Sequence, residues 1–161
     1  MKKLFFVLAA LAAGMTCMAA NVPAQGDDDK KAEKCILDQN VKIEINTIMP
    51  SNGPARQTID GYTITIADGK VNADLPYFGE AYTAIVPGVD EPGIRFDDCP
   101  VEITVNKKKA KKGQYEWRFT AKSGTDDVQV YVTLWTSGEA DVRCQPTSRS
   151  GISYRGTIIT E

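Results

Sequence analysis

The sequence predicts an all-β fold, an antiparallel meander of about 8–10 strands closed as a barrel or a sandwich, behind a short N-terminal helix. Three observations predict it. Apolar and polar residues alternate with a period of two in segment after segment. Glycine-, proline- and aspartate-rich turns separate those segments. No apolar pattern of helical spacing and length occurs after Asn40. Short links force neighbouring strands to run antiparallel, and closing the sheet removes exposed edges.

The 161-residue chain begins with Met1, Lys2 and Lys3, continues as an apolar run from Leu4 to Ala13, and reaches small residues at Ala19 and Ala20. That is the three-part layout of a secretory signal peptide, so residues 1–20 are expected to be removed on export to the periplasm or outside the cell. The run is too short to span a bilayer, and no later segment is long and apolar enough. Removing Lys2 and Lys3 from the 19 basic residues leaves 17 against 21 acids, a net charge of −4. So mild an acidity provides no field for collecting nucleic acid.

Residues 21–39 form a polar leader. Gly26-Asp27-Asp28-Asp29-Lys30-Lys31 at its centre reads as a flexible tail, or as charges at the start of a short helix ending near Asp38. Cys35, Ile36 and Leu37 are the candidates for that helix's apolar side. The acidic triplet lacks the alternating spacing of a calcium loop.

A single β domain spans residues 40–161. Its strands are read from Val41-Ile43-Ile45, Tyr62-Ile64-Ile66, Val71-Ala73-Leu75, Val101-Ile103-Val105 and Tyr115-Trp117-Phe119. The series continues with Val128-Val130-Val132-Leu134, Ala140-Val142-Cys144 and Ile152-Tyr154-Ile158. Asp68-Gly69 between two such runs is a hairpin signal, because both residues tolerate positive φ. The strand through Val128 carries Tyr131, Thr133 and Trp135 on its second face. It is therefore expected to be central, or covered by the leader helix or a partner.

Of the four cysteines, Cys17 falls within the signal. A lipoprotein would keep Cys17 as its acylated first residue, the only expected route to the membrane, although Gly14-Met15-Thr16 departs from the usual acylation pattern. Strand parity points Cys99 and Cys144 inward. They are either a disulfide in an oxidising compartment or two buried free thiols, with Cys35 left over.

The chain contains no histidine. That removes the commonest general base near neutral pH and the usual serine, cysteine and zinc constellations. There is no Gly-x-Ser-x-Gly elbow, phosphate loop or Cys-x-x-Cys pair. An enzyme built from carboxylates alone would draw on Asp74, Glu80, Asp97 and Asp98, but Asp97-Asp98 before Cys99-Pro100 reads as a turn. The lysines between Lys107 and Lys112 read as a solvated hairpin tip, with phosphate groups as the alternative ligand. No catalytic residue, cofactor or metal is expected.

The segment Leu75-Pro76-Tyr77-Phe78-Gly79-Glu80-Ala81-Tyr82 stands apart. Pro76 cannot donate to a ladder, so the strand ends or bends there. Gly79 permits a close neighbour. Tyr77, Phe78 and Tyr82 are read as a corner of the core, with an aromatic platform as the alternative. Tyr131 and Trp135 complete the candidate ligand-binding residues.

With Gly93-Ile94-Arg95-Phe96, the lysine-rich hairpin, Arg149, Ile152, Tyr154 and Gly156, the octapeptide resembles an uncharacterised family, DUF4251, of exported proteins from gut-dwelling Gram-negative bacteria. The resemblance covers roughly residues 40 to 159. It implies an all-β envelope protein, often lipid-anchored, with no established activity or ligand. The expected function is a non-enzymatic envelope binding or accessory domain whose partner is an envelope protein or a glycan. A lipocalin-like carrier of a small apolar ligand is the alternative, and a glycan hydrolase the third.

Overall fold

The computed structural model describes residues 25–59, 61–82, 93–106 and 110–160. The signal segment, the thiol of Cys17 and Lys107 to Lys109 lie outside them. The described residues form one α-helix, α1 (Gln25–Leu37), a single 3-10 turn at Ala110–Lys112, and ten strands. These are β1 (Val41–Pro50), β2 (Arg56–Gln57), β3 (Thr63–Ala67), β4 (Lys70–Leu75), β5 (Ile94–Pro100), β6 (Thr104–Asn106), β7 (Gln114–Ser123), β8 (Asp126–Trp135), β9 (Glu139–Pro146) and β10 (Ile152–Ile159).

The strands make one antiparallel sheet in the order β5-β4-β3-β1-β10-β9-β8-β7-β6, with β2 paired to β1 off that path. Two meanders, β3 to β5 and β6 to β10, are therefore joined where β1 pairs with both β3 and β10. The sheet curls into a half-barrel. Its edge strands, β5 and β6, are consecutive in sequence, so the three-residue link from Val101 to Ile103 bridges the two ends. There the Arg95 N–H donates to Ser123 Oγ at 2.9 Å and the Val101 N–H to the Gly69 carbonyl at 2.8 Å.

Period-two patterning sets the two faces. Ile43, Ile64, Val71, Phe96, Trp117, Val132, Val142 and Tyr154 point inward and form one core with their neighbours. The hairpin at Asp68-Gly69 has the expected positive angles, φ of 52° and 70°. A β-bulge between Ile45 and Thr47 bends β1 as it passes from β3 to β2. Gly156 lies opposite Ile45, and a Cβ there would overlap the Glu44 carbonyl oxygen.

The leader is helical from Gln25, not flexible to Lys34. Asp27 and Asp28 sit in its first turn and Lys34 in its last, where the helix dipole favours each sign. Its packing face is Ala32 and Ile36, whereas Leu37 is more than half exposed. The helix lies on the inner side, with the Tyr115 hydroxyl donating to Glu33 Oε1 at 3.0 Å. It does not cover the outer face of β8, which is nevertheless central, between β7 and β9.

Two readings of the Asp97 to Val105 region change. Asp97-Asp98 is not a turn but a β-bulge inside β5, with Asp98 at φ 47° and its N–H donating to Asn72 Oδ1 at 2.7 Å. Only Thr104–Asn106 of the next run is ladder-paired, because Pro100 has no N–H to donate and Val101 bonds to a turn instead. Cys99 is partly buried and Cys144 fully buried, and both are free thiols. Cys99 lies opposite Val71 on β4, whereas Cys144 lies between Val130 and Ile152. Burial pushes the Cys144 thiol up to about 12.

Candidate functional site

The octapeptide leaves β4 at Pro76 and folds onto the loop between β9 and β10. The Tyr77 hydroxyl donates to the Ser150 carbonyl at 2.8 Å and lies 3.0 Å from Ser150 Oγ. Ser150 Oγ accepts the Glu80 N–H at 3.0 Å, and the Ser150 N–H returns a bond to the Glu80 carbonyl at 2.9 Å. Any side chain at Gly79 would collide with the Tyr77 hydroxyl and Ser150 Oγ. Beneath them, the buried Tyr154 hydroxyl donates to the Pro76 carbonyl at 2.9 Å.

Arg149 locks this corner from the other side. Its guanidinium lies 4.9 Å from the Tyr77 ring centre, donates to the Gly93 carbonyl at 3.2 Å, and reaches Asp126 Oδ2 at 3.5 Å. Asp126 is only 5% exposed and accepts the N–H and hydroxyl of both Thr147 and Ser148, at 2.6 to 3.2 Å. Burial pushes its carboxyl pKa up, but the Ser148 and Thr147 hydrogen bonds, aided by the Arg149 charge, outweigh burial and hold it below the usual carboxylate range. Gly93 completes the corner, since a Cβ there would come within 2.8 Å of the Leu75 carbonyl oxygen.

The separated residues quoted from sequence, Pro76, Tyr77, Gly79, Gly93, Arg149 and Tyr154, thus meet at one structural clasp. A sequence model of a domain of unknown function (DUF4251) matches residues 24–158. The chain belongs to the DUF4251 family. The fold of this DUF4251 domain is also that of the crystal structure of a DUF4251 family protein from Bacteroides eggerthii DSM 20697. The two share 17% identity over 84% of this chain and 91% of that one, with a TM-score of 0.60. No curated protein matches the sequence.

The structure separates the candidate ligand-binding residues of this DUF4251 domain. Tyr77 is engaged in the clasp. Phe78 and Tyr82 are exposed, and Arg56 lies 4.6 Å from the Phe78 ring centre. Tyr131 and Trp135 instead stand on the outer face of β8, both half-buried. Tyr131 lies between two open grooves. One, of about 510 Å³, is lined by Tyr131, Thr133, Arg143, Gln145 and Ser153. The other, of about 310 Å³, is lined by Tyr131, Thr133, Arg118, Glu116 and Thr104.

The Tyr131 ring is held in place. Arg118 Cζ lies 5.3 Å from its centre, and its hydroxyl donates to Gln129 Oε1 at 3.0 Å. Arg143 is directly opposite Tyr131 on β9, with Ser153 on β10 beyond it. The strand pattern brought Tyr131 forward from sequence, but Arg118 and Arg143 carried no signal of their own, being two of several charges on outward positions.

Of the four candidate carboxylates, Asp74, Asp97 and Asp98 lie on the paired strands β4 and β5, and Glu80 lies in the octapeptide beyond β4. Asp74 lies opposite Arg95, Asp98 pairs with Lys70, and Glu80 has its backbone in the clasp. All four, including Asp97, are exposed. Among the described residues no group of His, Cys, Asp and Glu could hold a metal ion.

Proposed function

We propose that this protein is an exported, non-enzymatic domain of the bacterial envelope that binds a ligand or partner through the outer face of its half-barrel. One observation carries the reading. Tyr131 is a braced aromatic ring between two grooves, surrounded by side chains able to donate and accept hydrogen bonds. Such a mixture of a rigid ring and converging polar groups is what recognition of a polar ligand requires. Export is supported by the N-terminal signal pattern, and lack of catalysis by the missing histidine and by the exposure of all four candidate carboxylates.

The test is a panel of neutral and acidic oligosaccharides, assayed with the folded chain for both binding and turnover. Binding without turnover, lost in Tyr131→Ala, is expected. Turnover abolished by substituting one carboxylate among Asp74, Glu80, Asp97 and Asp98 would refute the non-enzymatic assignment. Recovery of the uncleaved chain in the cytoplasm would refute export.

One observation favours an interior carrier as a second reading. Trp117 Nε1 is buried without an acceptor among the described residues, and an oxygen of a small ligand would satisfy that donor. Titrating a Trp135→Phe variant with a fatty acid would shift Trp117 emission if the half-barrel takes such a ligand. Against it, Trp117, Phe119, Tyr154 and the helix residue Ile36 already occupy the inner side.

A further inference from the structure

The larger outer-face groove presents a cation beside an aromatic ring. Three arginines stand on this part of the sheet. Arg118 is committed to the Tyr131 ring, and Arg155 is paired with Asp141 at 2.9 Å. Arg143 is exposed, directly between Tyr131 and Ser153, with neither an ion pair nor a hydrogen bond to its guanidinium among the described residues. Asp141 also lines the groove, but Arg155 offsets its charge. Glu116 faces the other groove and accepts from Asn106 Nδ2 at 3.0 Å.

We propose that this groove takes a carboxylate-bearing glycan, a uronic-acid oligosaccharide, whose sugar ring stacks on Tyr131 and whose carboxylate pairs with Arg143. This rests on the reading of the outer face as the binding surface. The planar guanidinium fork matches a planar carboxylate with two parallel hydrogen bonds. The apolar C–H face of a pyranose matches the flat phenol ring, while Gln145, Thr133 and Ser153 are placed for its hydroxyls. A ring already braced by Arg118 and Gln129 loses little freedom on binding.

The groove favours a glycan over a peptide. It crosses β1, β8, β9 and β10 in mid-sheet, where the backbone groups are used in ladders. A peptide would find no free edge on which to add a strand. The second groove continues beyond Tyr131 and Thr133 towards β6, so a chain of sugar units has room on both sides of the ring.

Isothermal titration of the folded chain with oligogalacturonate, a neutral glucan oligosaccharide, dextran sulfate and polyglutamate tests the proposal. Oligogalacturonate is expected to bind most tightly, with at least a tenfold loss in Arg143→Gln and in Tyr131→Ala. Circular dichroism should show both variants folded. Neutral glucan bound equally well, lost in Tyr131→Ala but unaffected by Arg143→Gln, would overturn the carboxylate assignment and leave the binding surface intact. Preference for dextran sulfate would replace carboxylate by sulfate, and Arg143-dependent preference for polyglutamate would replace glycan by peptide. Oligogalacturonate binding that survives Tyr131→Ala, or no binding of any glycan, would overturn both the proposal and the surface.

Discussion

The Tyr77 clasp and the Tyr131 face use the same residue types to opposite ends. In the clasp, a tyrosine, an arginine, a serine and an aspartate satisfy one another, and each glycine fills a place too tight for a side chain. On the outer face, a tyrosine and two arginines are arranged on strands whose backbone is already paired, and Arg143 remains available to a ligand. Whether a polar cluster is architecture or a site is decided by how fully its hydrogen-bonding capacity is met within the chain. By that criterion the octapeptide is a fastening, and the proposed recognition surface lies elsewhere.

Substitutions should therefore change stability at the clasp and binding at the face. The largest effect is expected from Gly156→Ala, since the added methyl overlaps the Glu44 backbone where β1 bulges. Overpacking against backbone in mid-sheet should cost about 3 kcal/mol, read as a lowered denaturation midpoint or loss of soluble protein. A midpoint equal to the parent's would show that the β1–β10 approach is looser than described.

Asp126→Asn should cost about 2 kcal/mol, because hydrogen bonds to a charged acceptor are lost and an amide N–H2 faces donors. The clasp should also be acid-sensitive. Asp126 has a folded pKa below its unfolded value near ~3.9, so its stabilisation is present above that pH and lost as pH falls through the folded value. Urea midpoints measured from pH 7 down to 3 should fall more steeply for the parent than for Asp126→Asn, and parallel curves would remove Asp126 from the account.

Tyr77→Phe should cost about 1 kcal/mol, as the Ser150 carbonyl loses its phenol donor. Smallest in stability is Tyr131→Ala, below about 1 kcal/mol, because only half-buried cross-strand contacts disappear. A Tyr131→Ala variant that unfolds would make the outer face as structural as the clasp and erase the distinction.

The strands from β7 to β10 were legible because their alternation is long and their links short, and the Asp68-Gly69 hairpin because its turn chemistry is local. Strand β5 was not, since its bulge at Asp98 breaks the alternation between Phe96 and Cys99. The proline and glycine of the octapeptide announced a corner, but its partner Ser150 is 73 residues from Tyr77, and no local pattern encodes such a meeting. Asp126 carried no signal for the same reason: its partners, Thr147 to Arg149, arrive from the far end of the next hairpin. Tyr131 was visible because it and Trp135 put aromatics on the outward face of the strand, whereas its pairing with Arg143 and Arg118 required the register.

The most direct test compares oligogalacturonate affinity by calorimetry in Tyr131→Ala and Tyr77→Phe, each alongside its melting temperature. Tyr131→Ala should lose at least tenfold in affinity while melting close to the parent, and Tyr77→Phe should melt lower while binding as the parent does. Affinity lost in Tyr77→Phe and retained in Tyr131→Ala would contradict the account by placing recognition in the clasp.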